Sequence, residues 1–120
     1  MSDVRQVDNI TKLRIETKRT EGQVAVVTVA GEIDLASAPQ LKEALDRVAA
    51  ERTSVTIDLA EVTFMDSSGL HVLFRFASAA NGSGPVRIVN ASRTVLRTMQ
   101  IVGMTAVPQI EVQEAVEQHG

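Results

Sequence analysis

The sequence predicts an α/β fold: an N-terminal hairpin, then alternating strand and helix units forming a mixed, mostly parallel sheet with packed helices. Three observations predict it. The 120 residues fit one domain of ordinary size. The hydrophobic pattern switches back and forth between a period of two and the helical period. Turn and cap residues stand at the switches, among them Gly31, Ser37 and the NGSGP run at 81–85.

Residues 1–11 form a polar lead-in. Residues 12–18 alternate, with Leu13, Ile15 and Thr17 on one face and Lys12, Arg14, Glu16 and Lys18 on the other, which reads as an edge strand. The β-branched run 23–30 suits a buried strand, and the short connection 19–22 pairs the two as a hairpin. Leu41, Ala44, Leu45, Val48 and Ala49 then recur at helical spacing, behind Ser37 as N-cap and Pro39 in the first turn. Residues 54–59 read as the third strand. Residues 67–80 read as a second helix with Leu70, Leu73, Phe74 and Ala77 on its buried stripe. Residues 86–89 form a short strand, and Ser92 caps a helix carrying Val95, Leu96 and Met99, which Gly103 ends. Residues 106–110 read as a last strand, placed at an edge by Pro108. Val112, Ala115 and Val116 suggest a short terminal helix. This order implies a mostly parallel sheet with right-handed crossovers.

Composition narrows the functions open to such a fold. Hydrophobic residues are 44% and charged residues 22%, a globular composition. The absence of Cys excludes a disulfide scaffold, a thiolate metal site and a thiol nucleophile. Only two histidines occur, His71 and His119, which does not suit a histidine-rich metal site. The net charge of −3 and the 2% aromatic content supply neither the positive field nor the stacking rings of a nucleic-acid surface. The longest nearly apolar run, 24–30, is too short to span a bilayer, and the start MSDVRQVDNIT is no signal peptide. The expected protein is cytoplasmic, without cofactor, metal, direct nucleic-acid contact or membrane contact.

If strands two to four run parallel, their carboxyl-end loops, 31–35, 60–66 and 90–92, open on one rim, where open α/β sheets place their chemistry. That rim gathers Asp34, the Asp66-Ser67-Ser68-Gly69 stretch opening the second helix, and Asn90 with Ser92. A helix start accepts an added phosphate well, because its N–H groups are unpaired and its dipole end is positive. A phosphoserine there adds about −1.5 to −2 charges and repels an acidic partner surface. The structural alternative is that Asp66, Ser67 or Ser68 caps the helix.

The strings GEIDLASAPQLKEAL (31–45), VTIDLAEVTFMDSSGLHVL (55–73) and RIVNASRTVLRTMQIVGM (87–104) resemble the STAS domain of bacterial anti-sigma factor antagonists. The resemblance spans residues 13–116, implies one STAS domain over 12–118, and rests most on GEID and FMDSSGL. It implies a non-enzymatic switch. The unphosphorylated domain binds a partner that is both anti-sigma factor and serine kinase, which frees a sigma factor. Phosphorylation of Ser68, with Ser67 as the adjacent candidate, breaks that complex, and a metal-dependent serine/threonine phosphatase resets it. The partner-binding residues so implied are Asp34, Asp66, Ser67, Ser68, Gly69, Leu70 and His71. Leu70 reads either as an exposed hydrophobic anchor or as core. His71 departs from the family, which often has a small residue there.

Rival readings are weaker. A response-regulator receiver would use Asp58 as phosphoacceptor, but the acidic pair after its first strand and the Lys after its last are missing. A serine hydrolase would use Ser68 with His71, but G-x-S-x-G is absent and only one internal His exists. A STAS scaffold or regulatory subunit of a sensory or transport complex would share the fold.

Overall fold

The computed structural model describes residues 13–20, 24–51, 54–79, 86–103 and 110–115. Its elements follow the order β1 (Leu13–Thr20), β2 (Val24–Ile33), α1 (Ala38–Ala49), β3 (Ser54–Met65), α2 (Ser67–Ala79), β4 (Val86–Ala91), α3 (Arg93–Ile101) and β5 (Ile110–Glu114). The five strands lie in sequential order in one sheet. β1 pairs antiparallel with β2, and all other pairs are parallel. The hairpin and the parallel units are therefore as the sequence predicts.

Alternation puts Ala25, Val27 and Val29 of β2, Val55, Ile57 and Leu59 of β3, and Val86 and Ile88 of β4 into a single buried cluster. α1 adds Leu41, Leu45 and Val48, spaced for one helical face, and α3 adds Val95 and Met99. Fully burying a Leu side chain contributes about 1.5–3 kcal/mol, so this cluster dominates stability. Ala49 is exposed, not part of the α1 stripe. On α2 the buried aromatic is Phe76, whereas Phe74 is 41% exposed. Buried Gly69 extends the arc of Leu70, Leu73 and Ala77 toward Phe76, and Phe74 lies beyond its opposite edge.

The chain end differs from expectation. Ile110–Glu114 is a strand along β4, so Val112 begins no terminal helix. Ile110 and Val112 fit period two as well as Val112, Ala115 and Val116 fit a helix, and pairing with β4 decides between them. Of the predicted 106–110 strand only Ile110 lies in the described residues, as the first residue of β5. The lead-in 1–11, the 81–85 turn, Pro108 and Val116 fall outside them.

β2 and β3 run well past the predicted ends. Two register shifts allow it. Between Asp58 and Glu61 the β3 strand carries one residue more than β2, and the Ala60 N–H donates to Asp58 Oδ1 at 2.9 Å. Opposite Gly31, which needs its positive φ of 109°, Thr63 is extra and its hydroxyl donates to the Gly31 carbonyl at 3.3 Å. Residues 31–33 and 60–65, expected as loops, are therefore strand. β4 pairs with β3 only as far as Asp58–Val89. A bulge in β4 holds Asn90 at φ 61°, and its amide donates to Asp58 Oδ1 at 3.0 Å. Asn tolerates that left-handed conformation better than other non-glycine residues. Asp58 is thus a structural acceptor tying two irregularities together.

Asn90→Val is expected to lower the unfolding free energy by about 2–3 kcal/mol, combining backbone strain with the lost hydrogen bond. Asn90→Gly should lose only about 1 kcal/mol, because the conformation stays free. Urea unfolding of both variants checks this; equal losses would mean that the backbone angle is not the constraint.

Candidate functional site

The extension of β2 and β3 brings Asp34 and Asp66 together. Ile33 and Met65 are register partners, so the two aspartates follow on adjacent parallel strands spaced about 4.8 Å apart. The Asp66 N–H donates to the Ile33 carbonyl at 3.1 Å, which fixes the start of α2 against the end of β2. Asn90 and Ser92 do not join them. They follow the last β3–β4 pair, Asp58–Val89, with the Asn90 amide bonded to Asp58, and seven β3 residues from Leu59 to Met65 stand between Asp58 and Asp66. Ser92 instead caps α3, accepting from the Val95 N–H at 3.2 Å.

Each aspartate starts a helix. The Asp34 carbonyl accepts from the N–H of Ala38 at 2.7 Å. Its Oδ1 accepts from the Ser37 N–H at 3.0 Å, while the Asp34 N–H donates to Ser37 Oγ at 2.9 Å. This reciprocal pair has the form of a capping box. Ser37 is the N-cap of α1, as the sequence predicts, its carbonyl accepting from the N–H groups of Gln40 and Leu41; its side chain makes no cap bond to the helix, because the hydroxyl is engaged with Asp34 in the preceding turn.

At α2 the cap is Asp66. Its carbonyl accepts from the N–H groups of Gly69 and Leu70 at 3.1 and 3.2 Å. Its Oδ1 accepts from the Ser68 N–H at 2.9 Å and from the Ser68 hydroxyl at 2.5 Å, a short bond of charge-assisted type. Neither serine hydroxyl is needed as a helix cap. Ser67 is exposed and Ser68 half-buried, and both line an open groove of about 670 Å³ between the N-terminal halves of α1 and α2. The rest of its lining is Leu35, Ala38, Pro39, Lys42, Asp66, His71 and Val72.

Gly69 and Leu70 are buried and cannot be surface contacts. Leu70 is 4% exposed, which removes it as a docking anchor. A Cβ on Gly69 would lie 2.5 Å from Ile33 Cγ2 and 2.9 Å from Met65 Cγ, so the glycine lets α2 sit directly on the two strand ends. The apolar exposure at the site belongs instead to Leu35, 78% exposed. Leu35 follows Ile33 by two, so alternation alone places it in the core; the helical turn begun by Asp34 turns it outward. Lys42 was likewise missed. Its signal is weak, a polar residue four positions after the buried Ala38.

His71 is exposed on the same helix as the serines, and among the described residues no hydrogen bond joins it to either. Ser68 is therefore not arranged as a His-activated nucleophile. The oxygen it touches is the Asp66 carboxylate.

Comparison with known proteins identifies the family. A model of the STAS domain matches residues 3–119. The chain belongs to the STAS domain family. Within it, the chain is 33% identical over 93 residues to the anti-sigma-B factor antagonist of Bacillus subtilis (strain 168), covering 77% of this chain and 84% of that one. It is 34% identical over 82 residues to the anti-sigma-F factor antagonist RsfB of Mycobacterium tuberculosis, covering 68% of this chain and 67% of the relative. The crystal structure of an anti-sigma factor antagonist from Mycobacterium paratuberculosis superposes with a TM-score of 0.75 at 27% identity, covering 82% of this chain and 85% of that one. No helix among the described residues is long and apolar enough to cross a membrane.

Gly69→Ala is expected to cost about 1–3 kcal/mol of stability through overpacking against Ile33 and Met65. Asp66→Ala should cost about 1–2 kcal/mol as a lost cap. His71→Gln, at an exposed position, should stay within about 0.5 kcal/mol of the parent. Chemical denaturation of the three variants measures all of these.

Proposed function

We propose that this STAS domain is an anti-sigma factor antagonist switched by phosphorylation of Ser68. In this reading the unphosphorylated domain docks an anti-sigma factor that is also a serine kinase, and the bound sigma factor is released. Docking uses the groove mouth, with exposed Leu35 as the apolar contact, Asp66, Ser67 and His71 around it and Asp34 next to Leu35 in the chain. A metal-dependent serine/threonine phosphatase restores the unmodified serine. The protein acts by binding, in the cytoplasm, and no step needs a cofactor of its own.

One observation supports this most. Asp66 takes the cap and also receives the Ser68 hydroxyl, so an oxygen nucleophile is held in one orientation on an open groove. Ser67 is more exposed but has no such anchor. The relatives named for antagonising anti-sigma factors point the same way.

Phosphorylation replaces the hydroxyl hydrogen that Asp66 holds and adds about −1.5 to −2 charges beside two carboxylates. Two like unit charges about 4 Å apart repel by up to ~4 kcal/mol at an effective dielectric near 20. Each 1.4 kcal/mol is about tenfold in affinity, so one phosphate suffices to weaken docking by two decades. The cap bond from the Ser68 N–H to Asp66 survives the modification, so no rearrangement of the sheet is required.

Reaction with a cognate kinase and ATP, followed by phosphopeptide mapping, should find phosphate on Ser68. Ser68→Ala should retain the anti-sigma factor in the presence of ATP, and Ser68→Asp should lose it about 100-fold. Phosphate confined to Ser67, or two variants that bind like the parent, would contradict the assignment.

A further inference from the structure

Two nitrogen-bearing side chains, Lys42 and His71, share the groove with the serines, and the switch as described gives neither a role after phosphorylation. Lys42 projects from α1 and His71 from α2, and both line the groove that Ser67 and Ser68 line. His71 follows Ser68 by three residues, which puts the two on one helix face with Cβ atoms about 5–6 Å apart. Side chains on a helix lean toward its N-terminus, so the imidazole leans over the serine turn. Across the groove, the Lys42 ammonium is paired with Asp46 at 2.8 Å, with both side chains mostly exposed. An exposed pair of this kind is worth about 0–1 kcal/mol, so a doubly charged neighbour readily draws the ammonium away.

We propose that Lys42 and His71 form an intramolecular clamp for the phosphoryl group on modified Ser68, holding it in the α1–α2 groove as the dianion. The proposal rests on the phosphoserine reading above and adds what happens after modification. The remaining charges facing the pair are Asp66 on the serine side and Asp46 and Arg75 in the adjoining cavity. Arg75 stands two turns beyond Ser68, roughly 10 Å along the axis, and acts through its field alone. Asp66 and Asp34 oppose the second ionisation of the phosphate, while the Lys42 ammonium and a ring N–H donated by His71 favour it. The second proton of a phosphomonoester leaves near pH 6. The clamp therefore keeps the added charge nearly complete at cytoplasmic pH, despite two neighbouring carboxylates.

The test installs phosphoserine at position 68 during translation, so that no kinase is needed, in the full chain and in its Lys42→Met and His71→Gln variants. The 31P shift of each is followed from about pH 4.5 to 8.5, a range that spans the second ionisation. Each variant should titrate higher than the parent phosphoprotein by about 0.3–0.5 pH unit, and the double variant higher still. Asp34 and Asp66 are unchanged throughout, so their effect cancels in the comparison. Phosphoproteins that all titrate together would overturn the clamp. That result would leave the switch itself standing, because the switch is tested separately by whether the parent phosphoprotein loses the anti-sigma factor.

Discussion

One carboxylate oxygen, Asp66 Oδ1, joins the fold of this protein to its surface chemistry. It closes the first turn of α2 by accepting the Ser68 N–H, and it accepts the Ser68 hydroxyl as well. Asp66 is itself located by the bond from its N–H to the Ile33 carbonyl and by Gly69, which lets the helix rest on Ile33 and Met65. The serine is therefore positioned by the ends of two core strands. Its orientation does not depend on a mobile loop.

The same arrangement explains why β2 and β3 outrun the rest of the sheet. Bulges at Ala60 and Thr63 keep Leu59, Val62 and Met65 buried while the strand bends. Asp58 satisfies the first bulge and ends the β4 pairing through Asn90. The extension carries Asp34 and Asp66 beyond Asn90 and Ser92, so the groove is made by α1 and α2 with Leu35 and Asp66 just ahead of them.

Much of this was legible in the residues. Period two in β1, the β-branched run in β2 and the helical spacing of Leu41, Leu45 and Val48 gave the hairpin and the first parallel unit. FMDSSGL located the strand-to-helix junction and its resemblance to STAS domains. What stayed hidden depends on tertiary context. Bulges break the alternation that marks β3 beyond Leu59. Phe74 and Phe76 are equally apolar, and only packing separates them. The turn of the Ser37 hydroxyl toward Asp34, and capping by Asp66 over either serine, follow from a hydrogen-bond choice among residue types that all cap well. Leu35 and Lys42 carry no pattern of their own; they matter because two helix starts meet.

In the proposed switch the domain changes partners through surface charge while its core stays fixed. The direct measurement is the affinity of the anti-sigma factor for unmodified and Ser68-phosphorylated protein at low and high ionic strength. The account predicts a loss of about 100-fold on phosphorylation at low salt, reduced as salt screens the repulsion. Equal affinities in the two forms would contradict it, and so would a loss that salt leaves untouched, which would mean that shape and not charge decides docking.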